Sequence, residues 1–213
     1  CCDVIARFPE RFELVGAVGG SDLAALAEVV DRFRPARVAL VSPRSGATLP
    51  SGIAGGIGAA CDIAAMASDV VCVAIPGAAA LRPTLAALDA GRTIATATKE
   101  VLVMAGPLVR ARATAHGARI LPVDSEHSAL WQCLRGERLD AVARIVLTAS
   151  GGPFRERDPG TFAAITPAEA LRHPTWNMGP KVTIDSATMM NKGLEIIEAH
   201  FLFDVPYSAI GVV

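Results

Sequence analysis

Several features that would assign the chain to a nucleic-acid or membrane class are scarce among its 213 residues. Aromatic residues make up only 5%, too few for a platform on which nucleic-acid bases stack. The 20 basic residues are balanced by 21 acidic ones, which argues against a broad electrostatic surface for nucleic acid or lipid. The apolar runs are cut by Gly, Pro or charge before they reach the roughly 18 residues of a membrane span. The sequence therefore predicts neither a nucleic-acid nor a membrane partner.

Cysteines are few and poorly placed for cross-linking. The five cysteines are an odd number and contain no C-x-x-C pair, which argues against a disulfide framework or a zinc site and favours a reducing cytoplasm. What the chain does have is apolar residues: 52% are hydrophobic and 19% are charged. That composition is typical of a globular protein with a sizeable core.

Strand-like and helix-like patterns alternate through the first half of the chain. Short apolar runs are expected as strands at 12–18, 37–41, 70–75, 93–97 and 118–123, and a Gly/Pro/Ser-rich loop is expected at 42–58. Alternation of this kind indicates parallel strands joined by right-handed crossovers, hence a doubly wound, Rossmann-like sheet. Ligands of such sheets bind beyond the carboxyl ends of the strands.

Two domains are predicted, a Rossmann-like domain over 1–121 and an α/β catalytic domain over 122–213. The G-x-G-x-x-G fingerprint of dinucleotide binding does not occur in the chain. A first strand with its glycine loop is therefore expected upstream of Cys1. The last residues, 210–213, have the pattern of a further strand, so the chain is expected to be truncated at both ends.

The second half of the chain lacks this regular alternation but contains recognisable loop and helix-start signals. A strand at 143–147 leads into the glycine loop 150–152, and Thr166-Pro167-Ala168-Glu169 is the start of a capped helix. The segment 173–180 lacks periodicity and is predicted to be a surface loop or lid. A strand is predicted at 181–184, followed by a helix that opens at 185–186 and ends near Phe203.

Two acidic residues stand next to the expected strand at 118–123. In an extended segment, alternate residues point the same way, so Asp124 and Glu126 can face one site. Carboxylates without cysteine partners suit a hard divalent ion such as Mg²⁺ or Mn²⁺. The alternative is an ordinary solvated acidic turn.

The last predicted helix carries a polar stripe at offsets of three, four and seven, made of Asn191, Lys192, Glu195 and Glu198. Asn and Lys are good phosphate partners, and a Glu one turn further on can complete a metal site. The alternative is a solvent-facing stripe with a weak Lys–Glu pair, worth roughly 0.2–0.5 kcal/mol.

Anion-binding features are present but individually common. The loop Ser150-Gly151-Gly152 exposes backbone N–H groups, and Ser186 is expected at a helix start, where the helix dipole favours an anion. His173 and Trp176 flank the lid-like segment, where they would cover a substrate or simply support the loop.

Five motifs in order carry a family resemblance. They are Thr98-Lys99-Glu100, Leu121 to Ala129 (LPVDSEHSA), Leu147 to Arg155 (LTASGGPFR), His173 to Gly179 (HPTWNMG) and Asp185 to Glu195 (DSATMMNKGLE). Together they closely resemble the 1-deoxy-D-xylulose 5-phosphate reductoisomerases, collinearly over essentially the whole chain. The resemblance implies an NADPH-dependent oxidoreductase and isomerase of the non-mevalonate pathway of isoprenoid biosynthesis. It would convert 1-deoxy-D-xylulose 5-phosphate to 2-C-methyl-D-erythritol 4-phosphate by metal-assisted rearrangement and then hydride reduction.

The resemblance also implies partners and site residues. The enzyme would be a cytoplasmic homodimer acting on a small sugar phosphate. The metal, Mg²⁺ or Mn²⁺, would be held by Asp124, Glu126 and Glu195. The substrate would be bound by Lys99, Ser125, Glu126, Ser150, His173, Ser186, Asn191, Lys192 and Glu195, of which Lys99, Glu126, Glu195 and His173 would be catalytic. NADPH would be bound by Gly20, Ser21, Asp22, Thr98, Glu100 and Gly179. The chain departs from the family at Thr98, where Asn is common, and at Ser21, where a basic residue is common.

Three other interpretations stay open at this point. The chain can belong to another two-domain NAD(P)-dependent dehydrogenase, which needs no metal shared by the three carboxylates. It can be a truncated fragment that binds sugar phosphates without turnover. It can also be a plain α/β domain whose polar stripes are all solvated.

Overall fold

The computed structural model describes residues 1–43 and 48–213. The chain forms two compact units, Cys1–Val123 and Asp124–Val213. Within the described residues, no helix has both the length and the apolar character needed to cross a membrane.

Strands and helices alternate along the first unit. In chain order they are α1 (Cys2–Arg7), β1 (Gly16–Gly19), α2 (Leu23–Phe33), β2 (Arg37–Leu40), β3 (Ile53–Gly55), α3 (Gly56–Ala65), β4 (Val71–Val73), α4 (Leu81–Asp89), β5 (Ile94–Thr96), α5 (Glu100–Ala115) and β6 (Ile120–Pro122). The strands are paired as β1-β2-β3 and as β4-β5-β6, and every pairing is parallel. The predicted parallel α/β fold is confirmed.

Local signals explain where α2 begins and ends. The Asp22 side chain accepts a hydrogen bond from the Ala25 amide at 3.0 Å, so it caps the helix N-terminus. Leu26 is buried against the β1–β2 core. Arg34 takes a left-handed conformation at the C-cap (φ 50°), and Pro35 prevents the helix from continuing. This helix fixes the turn that follows β1, which contains Gly20 and Ser21.

The long loop expected at 42–58 is only partly a loop. Residues 44–47 of that prediction lie outside the described residues. Ile53–Gly55 forms β3, which pairs in parallel with β2, and α3 follows at once from Gly56. A three-residue strand is too short to show the period-2 pattern from which strands are predicted.

The second unit is built around one long helix. Its elements are α6 (Ser125–Leu134), β7 (Ile145–Leu147), α7 (Pro167–Ala170), α8 (Pro180–Ala187), α9 (Met190–Phe203) and β8 (Ile210–Val212). β7 and β8 pair in parallel, with Ile145 opposite Ile210. Their core includes Leu147, Ala199 and Phe203, so α9 is fixed against the strands by its apolar residues.

The predicted strand at 181–184 is wrong, because these residues belong to α8. Pro180 occupies the first helical position, where its missing N–H costs nothing. Thr183 Oγ1 donates to the Gly179 carbonyl at 2.9 Å, and Lys181 pairs with Asp185 one turn on at 2.7 Å. These local bonds outweigh the strand preference of the β-branched residues.

The helix predicted to open at 185–186 is also wrong. Those two residues lie in the last turn of α8, which ends at Ala187. A second helix, α9, begins at Met190 after Met189 has taken a left-handed conformation (φ 61°). The predicted end of this helix near Phe203 is correct.

Candidate active site

Asp124 and Glu126 are placed by the start of α6 rather than by an extended segment. The Asp124 carboxylate caps the helix and accepts a hydrogen bond from the Ser125 amide at 3.0 Å. Ser125 and Glu126 are therefore the first two helical residues, and the predicted alternation along a strand does not apply. Glu126 accepts a hydrogen bond from Ser125 Oγ at 2.5 Å.

The polar stripe on α9 faces the protein interior. Lys192, Glu195 and Glu198 are buried, at 7%, 1% and 0% exposure, and Asn191 is half-buried. The solvent-facing alternative is wrong. Charged residues are almost never fully buried unless they are paired. We therefore expect hydrogen-bonding or charged partners for this stripe from other elements of the same unit.

The three carboxylates expected to hold a metal do converge. One oxygen from each of Asp124, Glu126 and Glu195 can be chosen so that all three lie within 4.8 Å of one another. An all-carboxylate donor set matches the preference of Mg²⁺ and Mn²⁺ for oxygen ligands. Negative charges held this close repel one another unless a cation lies among them. The residues present thus fit a hard divalent cation.

A buried lysine lies against the same carboxylates. Lys192 Nζ donates to Glu126 Oε1 at 2.9 Å, to the Thr148 carbonyl at 2.5 Å, and to Glu195 Oε2. Asn191 Nδ2 donates to the other Glu195 oxygen at 2.5 Å. Two residues expected to bind phosphate are thereby bonded to a residue expected to bind metal.

The pKa of Glu126 is lowered by its polar neighbours. Burial by itself raises the pKa of the carboxyl. Hydrogen bonds from Ser125 and Lys192, together with the Lys192 charge, outweigh burial, so the pKa lies below its ordinary value. Glu126 is therefore ionised near neutral pH and available as a metal ligand.

His173 and Ser150 are brought together by the loop that joins α7 to α8. Ser150 Oγ lies 3.1 Å from His173 Nε2, and His173 Nδ1 accepts hydrogen bonds from the amides of Thr175 and Trp176 at 3.2 and 3.0 Å. Because Nδ1 is an acceptor, the proton of the neutral ring resides on Nε2 and is donated to Ser150. Trp176 is 62% exposed.

Ser186 lies against the glycine loop and not at a helix start as predicted. It lies at the end of α8, so the argument from a helix N-terminus is wrong. Its carbonyl packs against Gly152: a Cβ added to that glycine would lie 2.6 Å from Ser186 O. Gly152 also has a positive φ of 71°, which glycine adopts freely. The glycine loop is thus the surface against which the end of α8 packs.

His127 lies beside the carboxylates and is not among the residues predicted for the site. Its ring is wholly buried, with Nε2 2.8 Å from the Glu195 carbonyl oxygen and Nδ1 3.4 Å from Glu198 Oε2. Asp124, His127 and Glu198 form a second group with ligand atoms within 4.8 Å of one another. The available signals were the position of His127 directly after Glu126 and the i,i+3 spacing of Glu195 and Glu198.

The residues expected to bind cofactor lie mostly at strand ends of the first unit. Gly20, Ser21 and Asp22 form the turn from β1 to α2. Thr98 is buried after β5, and its Oγ1 donates to the carbonyls of Val73 and Ile75 at 3.3 and 2.9 Å. It therefore ties the carboxyl end of β5 to that of β4, the edge at which ligands of parallel sheets bind.

The remaining predicted residues flank helix starts. Lys99 is buried at the N-cap of α5, and Glu100 is the first residue of that helix. Gly179 belongs to the second unit, where it is the N-cap of α8.

Comparison with known proteins gives one family for both units. The family model described as 1-deoxy-D-xylulose 5-phosphate reductoisomerase matches residues 1–106, and that of the reductoisomerase C-terminal domain matches residues 120–203. Two relatives named 1-deoxy-D-xylulose 5-phosphate reductoisomerase, from Gloeobacter violaceus and Thermomicrobium roseum, are each 49% identical to the chain. In each case the match covers 99% of this chain and 56% of the relative. The chain thus spans a little over half the length of these curated relatives.

Solved structures agree with this result. A DOX-P reductoisomerase in complex with NADPH, fosmidomycin and magnesium superposes with a TM-score of 0.90 at 40% identity, over 98% of this chain and 56% of that one. The reductoisomerase of Zymomonas mobilis in complex with NADPH superposes with a TM-score of 0.87 at 39% identity, over 99% and 56%. With both units matched, the chain belongs to the 1-deoxy-D-xylulose 5-phosphate reductoisomerase family.

Proposed function

We propose that the protein containing this chain converts 1-deoxy-D-xylulose 5-phosphate to 2-C-methyl-D-erythritol 4-phosphate with NADPH and a divalent cation. The observation that carries the proposal is the convergence of Asp124, Glu126 and Glu195 beside the buried polar side chains of α9. Burying three carboxylates close together is costly, and a domain without a ligand gains nothing from it. An enzyme that rearranges an α-hydroxy ketone can use such a group to bind the metal that polarises the carbonyl.

The first unit is assigned to NADPH. The turn containing Gly20, Ser21 and Asp22, and the segment with Thr98 and Glu100, follow parallel strands on the side where nucleotides bind. Gly179 from the second unit is assigned to the cofactor by family resemblance. The proposed domain boundary after residue 121 lies two residues before the division between the compact units. The similar solved structures that hold NADPH support this assignment.

The second unit is assigned to the metal and the substrate. A divalent cation bound by Asp124, Glu126 and Glu195 would polarise the ketone and make the neighbouring hydroxyl easier to deprotonate. Ser125, at the start of α6, is assigned to the oxygenated end of the sugar. Lys99 is assigned to the substrate from resemblance alone. Keeping water away from these groups is the role proposed for the segment 173–180.

The phosphate end of the substrate is assigned to a separate group of side chains: Ser150, His173, Ser186, Asn191 and Lys192. Hydroxyl, amide, imidazole and ammonium groups all donate hydrogen bonds to phosphate oxygens. Holding the phosphate away from the reacting carbons orients the substrate without taking part in the bond changes.

We also propose that the enzyme is a homodimer in the cytoplasm. Family resemblance implies both, and the five cysteines without a C-x-x-C pair suit a reducing compartment. Sedimentation of the complete protein would give about twice the monomer mass if the dimer is correct.

The test is NADPH oxidation by the complete protein, followed at 340 nm, with 1-deoxy-D-xylulose 5-phosphate as substrate. We expect oxidation with Mn²⁺ and none after chelation. Glu195→Gln keeps the side-chain shape but removes a ligand charge, so turnover should fall by roughly 100-fold or more. The exposed Glu137→Gln is the matched control and should be unaffected.

Two results would contradict the proposal. If the complete protein with Mn²⁺ oxidises no NADPH, sugar-phosphate binding without turnover becomes the better account. If Glu195→Gln turns over as fast as the control, the carboxylates do not share a metal, and another NAD(P)-dependent dehydrogenase is favoured.

A further inference from the structure

Lys192 and Asn191 make contacts that compete with the role proposed for them. Both are assigned to the substrate phosphate, yet Asn191 Nδ2 donates to Glu195 Oε1 and Lys192 Nζ donates to Glu195 Oε2. Glu195 is assigned to the metal. While these bonds are made, the Lys192 ammonium and one N–H of Asn191 are directed at a residue assigned to the metal rather than at a phosphate.

All three N–H donors of the Lys192 ammonium are used in this arrangement. They are directed to Glu126, to Glu195 and to the Thr148 carbonyl. The side chain is only 8% exposed, so it is not free to swing through solvent while these bonds persist. Binding a phosphate oxygen therefore requires Lys192 to give up at least one of these three bonds, two of which are to carboxylates.

The charge balance explains why Lys192 takes this position. Asp124, Glu126 and Glu195 bring three carboxylates within reach of one small ion. Burying carboxylates this close is costly unless a positive charge lies between them. Lys192 supplies one such charge, and it contacts two of the three groups. A divalent ion would supply twice that charge to the same oxygens.

We propose that Lys192 is an exchangeable internal counter-ion of the metal site. A divalent cation displaces its ammonium from Glu126 and Glu195, and the released Lys192, together with Asn191, then binds the substrate phosphate. This inference rests on the proposed function, because it takes the metal and phosphate assignments from it. It adds an order of binding: Lys192 and Asn191 are available to the phosphate only when a metal occupies the carboxylates.

The exchange predicts coupling between two ligands that bind different groups. Metal binding should tighten phosphate binding, and phosphate should tighten metal binding by the same factor, because equilibrium coupling is reciprocal. Without metal, phosphate must compete with Glu195 for both Asn191 and Lys192. A factor of about tenfold is expected, within the usual range for coupled sites.

The first experiment measures this coupling in the complete, metal-free protein. Free Mn²⁺ is followed by electron paramagnetic resonance during titration, with and without saturating methyl phosphate, a monoester that has no ketone or diol to chelate the ion. We expect methyl phosphate to lower the Mn²⁺ dissociation constant by about tenfold. An unchanged dissociation constant would overturn the inference.

The second experiment separates exchange from simple attraction between metal and phosphate. Lys192→Met removes the competing charge and keeps an unbranched side chain of similar length. Without phosphate, Mn²⁺ should bind this variant about tenfold more tightly than the wild type, because no ammonium has to be displaced. Lys181→Met is the control: it removes a lysine charge that pairs with Asp185 and should leave the Mn²⁺ affinity unchanged.

The variant also distinguishes the competing roles of Lys192. An unchanged Mn²⁺ affinity in Lys192→Met would mean that no ammonium has to be displaced, and weaker binding would mean that the lysine holds the carboxylates in place. Either result overturns the exchange. A cooperative unfolding transition shows that Lys192→Met is folded. If the variant has none, the methyl phosphate titration of the wild type alone decides whether the exchange takes place.

Failure of the inference and failure of the proposed function give different results. If the wild type neither binds Mn²⁺ nor oxidises NADPH with substrate, the proposed function fails and the inference falls with it. If the wild type binds Mn²⁺ and turns over but neither coupling nor tighter binding in Lys192→Met is found, only the counter-ion exchange is rejected.

Discussion

The carboxyl of Glu169 closes the capping box at the start of α7. Its Oε2 accepts hydrogen bonds from Thr166 Oγ1 at 2.7 Å and from the Thr166 amide at 2.8 Å, while Oε1 pairs with Arg157 at 2.7 Å. The bonds from Thr166, followed by the Arg157 contact, lower the pKa of Glu169 to about 2. Both partners favour the ionised form, so folding favours it too.

The pH dependence follows from that direction. A carboxyl whose pKa is lowered by folding stabilises the fold above its unfolded pKa of 4.5, and this contribution is lost as the pH falls towards 2. Glu169→Gln should therefore lower the unfolding temperature at pH 7, and the difference from wild type should shrink between pH 4.5 and 2. Circular dichroism melts across this range provide the measurement. Glu156→Gln, at a side chain that is 84% exposed, is the control, and a pH-independent deficit in Glu169→Gln would contradict the assignment.

At the scale of single residues, the sequence groups the polar side chains correctly but does not predict their contacts. Asp124 and Glu126 are close in sequence, and the α9 stripe has helical spacing, so each group could be recognised locally. The bond from Lys192 to Glu126 joins residues 66 positions apart, and no local pattern encodes it. For the same reason the stripe was open to interpretation as a solvated face, since charge alone does not reveal a buried partner.

At the level of elements, local signals decided which predictions succeeded. The capping box at Thr166 and Glu169 was predicted correctly because both of its halves lie within four residues. The segment 181–184 was mistaken for a strand because β-branched residues outnumber its helix signals. The start of α6 was missed because Asp124 serves both as a helix cap and as a candidate metal ligand.

Gly152 is the element-scale position most open to a direct test. A Cβ there would lie 2.6 Å from the Ser186 carbonyl oxygen, and the residue has a positive φ of 71°. Gly152→Ala should therefore lower the free energy of unfolding by about 1–3 kcal/mol and weaken methyl phosphate binding, because the end of α8 must move. Urea unfolding and ligand titration measure the two effects.

The matched control is another glycine of the second unit, Gly193 in α9. Apart from its two chain neighbours and the nearby backbone of α9 itself, no atom of the described residues lies within 4 Å of a Cβ added there. Gly193→Ala in the helix interior should raise the free energy of unfolding by about 0.5–1 kcal/mol. The two substitutions add the same methyl group, so equal effects on stability would show that the glycine loop does not pack against α8 as described.

At the scale of the whole molecule, the alternation of strands and helices predicted the parallel α/β architecture but not the pairing. The first unit pairs its strands as two three-stranded sheets, β1-β2-β3 and β4-β5-β6. Alternation indicates that neighbouring strands are parallel, but which edges meet depends on packing between distant segments. The sequence pattern changes near Pro122, because helices and strands before that point have a regular spacing that the rest of the chain lacks.

The assignment of the metal to the second unit, and of most NADPH contacts to the first, leads to a prediction for hydrogen exchange in the complete protein. Mn²⁺ should slow amide exchange in 124–134 and 190–203, and NADPH should slow it in 16–22 and 96–102. At ligand concentrations of 100 times the dissociation constant, the stabilisation is about 2.7 kcal/mol, or roughly 100-fold in the rates of amides that exchange through unfolding. Glu195→Gln should abolish the protection by Mn²⁺ and leave that by NADPH intact, because only the metal needs this carboxylate. Protection by Mn²⁺ confined to 16–22, or loss of both effects in Glu195→Gln, would show that the ligands are not divided between the units in this way.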